Sequence, residues 1–126
     1  MKYHKIITLL IVSIVFYSCK KETDTCYDIK FEISGSSTTI DSIDFRLAGS
    51  GSSYSNPDAS RFYSDLTVPY SETVNICKEN FDYNLRCYDS DTTLVLTLKI
   101  FRDASLIKQK TGSPDNFIEL AGGIND

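Results

Sequence analysis

A chain of 126 residues, 41% apolar and 24% charged, has the size and composition of one folded domain, which excludes a multidomain enzyme and a disordered or collagen-like chain. Its formal net charge of −4 excludes a nucleic-acid binder that works through a basic stripe. His4 is the only histidine and lies in the first few residues, so the rest of the chain cannot assemble a Ser-His-Asp or Cys-His arrangement.

Lys2, His4 and Lys5 precede Ile6 to Tyr17, an apolar run of twelve residues interrupted by Thr8 and Ser13. That is the shape of a secretory signal peptide, and it falls short of the roughly 20 residues that span a bilayer. Phe16-Tyr17-Ser18-Cys19 closes the run and resembles a bacterial lipobox, in which a small residue precedes a cysteine that takes a diacylglycerol before cleavage. Ser18 and Cys19 match that pattern, whereas Phe16 and Tyr17 stand where the family carries an aliphatic and a small residue. The resemblance implies a signal peptide over residues 1–18, lipidation of Cys19, and a polar tether over residues 19–25. Losing Lys2 and Lys5 takes the net charge from −4 to −6, so acyl chains rather than charge would hold the protein at its membrane. The expected location is the cell envelope, lipid-anchored at the outer membrane.

From Cys26 onward the apolar period is two. Tyr27, Ile29, Phe31 and Ile33 alternate with Asp28, Lys30 and Glu32, the pattern of a half-buried strand. A second strand runs from about Thr39 to Ala48, with Ile43, Phe45 and Leu47 on one face and Asp44 and Arg46 on the other. Residues 49–60 are rich in Gly and Ser and form the one long loop. Phe62, Leu66, Val68, Tyr70, Val74 and Ile76 then share even parity, as one long edge strand or two short ones bent at Pro69. Phe81, Tyr83, Leu85 and Cys87 give the next strand, and Leu94 to Phe101 the most apolar and most central one. Leu106 to Lys110 and Asn116 to Ala121 complete the pattern. About seven strands with turn signals at regular spacing predict an all-β fold, an antiparallel immunoglobulin-like β-sandwich over residues 26–126.

The strand Ile29 to Gly35, the stretch Leu66-Thr67-Val68-Pro69-Tyr70-Ser71, the Leu85 strand and Leu94 to Phe101 with its tight turn together resemble small immunoglobulin-like lipoproteins of the Bacteroidota type. Their domain is similar to the MmpS family of transport accessory proteins. Where that pattern holds Asp-Gly or Asn-Gly in the turn, this chain has Asp103-Ala104-Ser105. The resemblance implies a role beside a large efflux transporter.

After lipidation Cys26, Cys77 and Cys87 remain, an odd number in an oxidising compartment, which predicts one bridge and one thiol. Cys26 with Cys87 is the leading pair, because an up-and-down trace brings both to one end. Pairing of Cys77 with Cys87 is disfavoured by a hairpin about Lys78-Glu79-Asn80. Asp89-Ser90-Asp91 reads as a polar turn rather than a calcium loop, and no metal or other cofactor is expected. Among Tyr54, Tyr63, Tyr70 and Tyr88, the leading binding candidates are Tyr54, in the Gly/Ser loop, and Tyr70, on the edge strand. The sum predicts a non-enzymatic interaction or accessory module with no catalytic residues. Its partners would be the membrane and an envelope protein or extracellular ligand, and the alternative is capture of a glycan through loop 49–60.

Overall fold

The computed structural model describes residues 26–49, 60–77 and 81–125. The leader, Cys19, the tether, Tyr54 with most of its loop, and the turn 78–80 lie outside the described residues. Those described form eight strands and no helix: β1 (Cys26–Gly35), β2 (Thr39–Gly49), β3 (Arg61–Thr67), β4 (Tyr70–Cys77), β5 (Phe81–Tyr88), β6 (Leu96–Arg102), β7 (Ser105–Gly112) and β8 (Phe117–Gly123). They build two antiparallel four-stranded sheets, ordered β4-β1-β6-β7 (sheet 1) and β3-β2-β5-β8 (sheet 2). This is the expected antiparallel sandwich, with one strand more than the seven read from the sequence. The first two strands lie in opposite sheets, whereas an immunoglobulin constant domain pairs its first two.

Alternation explains which face each strand buries. Ile29, Phe31 and Ile33 of β1 and Leu96, Leu98 and Ile100 of β6 turn inward from sheet 1. Ile43, Phe45 and Leu47 of β2 and Phe81, Tyr83, Leu85 and Cys87 of β5 meet them from sheet 2. Phe31 and Phe45 stack across the middle with ring centroids 4.4 Å apart, joining the central strands of the two sheets. As its composition implied, β6 is an internal strand, between β1 and β7.

Two chain crossings between the sheets run side by side. The first follows Gly35, where a Cβ would come within 2.8 Å of the Val95 carbonyl oxygen, so the corner requires glycine. The second is the cis Val68-Pro69 peptide, and the Val68 N–H donates to the Thr38 carbonyl at 2.9 Å to tie the crossings together. The stretch with shared parity is therefore two strands: β3 is an edge of sheet 2 and β4 an edge of sheet 1. Pro69, between them, donates to no ladder.

The parity itself breaks within β3. Asp65 has φ 52°, left-handed backbone that exchanges the faces of the residues before it. Leu66 points into the core, Tyr63 packs against it, and Phe62 is 68% exposed. The expectation that Phe62 shares a face with Leu66 is thus corrected, and the break falls at the irregular backbone of Asp65.

Candidate binding surface

Where β3 and β4 face each other across the open side of the sandwich, three side chains converge on one carboxylate. Glu72 lies on the inward-facing side of β4 and is too near the seam for full burial. Its Oε1 accepts from Arg61 Nε at 2.7 Å, and its Oε2 accepts from the hydroxyls of Tyr63 at 2.9 Å and Tyr70 at 2.8 Å. The two tyrosine rings meet edge to face, 5.8 Å apart. Desolvation pushes the Glu72 carboxyl up, but hydrogen bonds from Arg61, Tyr70 and Tyr63 outweigh it, and the net pKa lies below the ordinary carboxylate value. Burial first, and then donation to Glu72, push the Tyr70 phenol up.

These contacts make a clasp between the edges of the two sheets. Tyr70, a leading binding candidate, is half-buried with its hydroxyl committed to Glu72. A carboxyl whose folded pKa is depressed contributes stability above its unfolded value and loses it as pH falls through the folded value. Glu72→Gln should therefore cost about 1.5 to 3 kcal/mol near neutral pH, the range for hydrogen bonds to a charged group. The gap between wild type and variant should narrow below about pH 4, and thermal melts across the acid range check it. Parallel melting curves with no gap at any pH would mean that the clasp adds nothing to stability.

The outward face of sheet 2 holds a different arrangement. Pairing aligns Phe62, Asp44, Arg86 and Glu119 in one row across β3, β2, β5 and β8. The next row is Ser64, Ser42, Tyr88 and Phe117, and on the other side Arg46, Asn84 and Ala121 stand in line. Arg46 Nε donates to Asp44 Oδ1 at 2.9 Å, and Arg86 Nε donates to Glu119 Oε1 at 2.8 Å, an oxygen that also accepts from Asn84 Nδ2. Hydrogen bonds from Asn84 and Arg86 hold the Glu119 carboxyl below its ordinary pKa. Phe117 is 41% exposed, with the Tyr88 ring 5.6 Å away and the Arg86 guanidinium 5.2 Å from its centroid.

Of this face, the sequence reading singled out Tyr88 and missed Phe62 and Phe117. Phe117 was legible, since Ile118 and Leu120 alternate with it and take the core positions. Phe62 was hidden by the break at Asp65.

The cysteines pair differently from the leading expectation. Cys26 and Cys77 stand opposite each other on β1 and β4 and are bonded, with S–S 2.07 Å. Cys87 is a free thiol, fully buried in sheet 2, and desolvation pushes its pKa up to about 12. The expected Cys26–Cys87 bridge fails because β1 and β5 lie in opposite sheets, Cys87 turns into the core, and Cys77 of the neighbouring strand β4 stands directly opposite Cys26.

In the 89–91 turn the carboxylates serve the backbone. Asp89 Oδ1 accepts from the Asp91 N–H at 2.8 Å, Asp91 Oδ1 from the Thr93 N–H at 2.9 Å, and Asp41 Oδ2 from the Ser90 N–H at 2.9 Å. Among the described residues no set of three or more His, Cys, Asp or Glu is grouped to hold a metal ion.

Neither a protein-family model nor a curated protein matches this chain.

Proposed function

We propose that this chain is a lipid-anchored, non-enzymatic interaction module of the cell envelope, held at the outer membrane through Cys19. The observation that carries the reading is the Cys26–Cys77 bridge at the first residue of β1. Disulfides persist in oxidising compartments, so the bridge supports export, and it closes the fold seven residues after the lipobox cysteine. The apolar leader and the Ser18-Cys19 match supply the anchor. An accessory role beside a large transporter is what the MmpS resemblance implies for the partner. The alternative, capture of an extracellular glycan, is favoured by the exposed aromatic rings on sheet 2.

Cys19→Ala tests the anchor. Acyl labelling should disappear and the protein should move from the detergent phase to the aqueous phase, since stable attachment rests on the acyl chains. A substituted protein that is still labelled would sink the lipobox reading.

A further inference from the structure

The outward face of sheet 2 inverts the anatomy of a protein–protein interface. Such interfaces have an apolar, charge-depleted centre and a polar rim. Here the centre is Asp44, Arg46, Arg86, Asn84 and Glu119, and the exposed rings stand at opposite sides, Phe62 on edge strand β3 and Phe117 on edge strand β8. They are separated by three strand spacings and one pleat repeat, about 16 Å between Cα positions. The central charges cancel: Arg46 and Arg86 face Asp44 and Glu119, and Asp82 adds a negative charge one row beyond Asn84 and Arg46. No surplus of positive charge is available to a polyanion.

We infer that this face is a binding platform for a neutral oligosaccharide, with Phe62 and Phe117 stacking on sugar rings at its two sides. A pyranose ring offers a C–H face that suits an aromatic ring and a rim of hydroxyls that both donate and accept. The paired side chains between the rings offer both roles in a fixed plane. Arg86 has further N–H groups beyond those bonded to Glu119 and Tyr88, and the half-buried Glu119 carboxylate is held in place by Asn84 and Arg86. Because these groups are already oriented by one another, little side-chain entropy is lost when a ligand arrives. The proposal rests on the reading of this chain as a binding module and is independent of its lipid anchor.

Affinity electrophoresis of the full-length protein in detergent tests it, using gels that contain a β-glucan, a mannan or a xylan, with heparin as the polyanion. At least one neutral polysaccharide should retard the protein and heparin should not. Phe62→Ala and Phe117→Ala should each weaken retardation about fivefold, the scale of one aromatic contact. Both rings are exposed, so melting temperatures should hold, and Phe117→Leu, which keeps apolar bulk beside Tyr88, controls for local packing. Retardation by heparin alone, by no polysaccharide, or equally in wild type and both alanine variants would overturn the platform. If envelope crosslinks persist without any retardation, the platform alone falls; if both are absent, the binding-module reading falls with it.

Discussion

Peptide mapping of the non-reduced protein should join the peptide carrying Cys26 to the one carrying Cys77 and recover Cys87 as a thiol that alkylates only after denaturation. The two bonded residues are direct cross-strand partners, so the bridge staples the start of central strand β1 to the end of edge strand β4. With a sequence separation of 51, the chain-entropy model puts the stabilisation at about 4 kcal/mol. Ordinary domains are stable by only about 5 to 15 kcal/mol, so the double substitution Cys26→Ser with Cys77→Ser should lower the melting temperature by many degrees. A Cys26–Cys87 linkage in the map would contradict the register of β1 against β4. An unchanged melting temperature would mean that the bridge constrains little.

Phe31→Ala should cost about 3 to 5 kcal/mol, the range for removing a large ring from a packed core. Phe31 has no exposed surface, stacks on Phe45 of the opposite sheet, and lies 6.0 Å from the Tyr70 ring at the seam. The vacated volume would lie between two central strands, each fixed by ladders on both sides, so collapse around it is restricted. Urea denaturation should show a lower midpoint with the slope retained. A loss below about 1 kcal/mol would mean that the inter-sheet stack does not anchor the core.

Much of this architecture is written locally. The alternation in β1, β2, β5 and β6 identified their inward residues because a half-buried strand has period two whatever its neighbours are. Pairing is another matter. Nothing local distinguishes a chain that continues in one sheet past Pro69 from one that crosses to the other, and the crossing decides that Cys77 meets Cys26. The Glu72 clasp depends on the same crossing, which brings Arg61 and Tyr63 against Tyr70 and Glu72 across two sheets.

The turn at Asp103-Ala104 likewise joins a local signal to a distant partner. Both residues have positive φ, at 47° and 67°, in a two-residue connection from β6 to β7 where Gly is the usual second residue. Mutual hydrogen bonds with Asp28 hold the turn: the Asp28 N–H donates to Asp103 Oδ1 at 2.9 Å, and the Asp103 N–H donates to the Asp28 carbonyl at 2.9 Å. The tight turn was legible from spacing, and its anchorage to β1 was not, because the partner lies 75 residues away. The outward face of sheet 2 was only partly legible for a similar reason. Its rings come from three strands, and only the pairing of β3, β2, β5 and β8 sets them on one surface.

Crosslinking in intact cells separates a module held at the membrane from one that is not. A photoactivatable residue placed at Thr73, on the exposed outward face of sheet 1 and away from the sheet 2 platform, should give a discrete crosslinked species in the envelope fraction of wild-type cells. In the Cys19→Ala background that species should be lost, because the module would no longer be held beside its partner. The same crosslinked species in equal yield from anchored and unanchored protein, or none from either, would contradict a membrane-tethered interaction module.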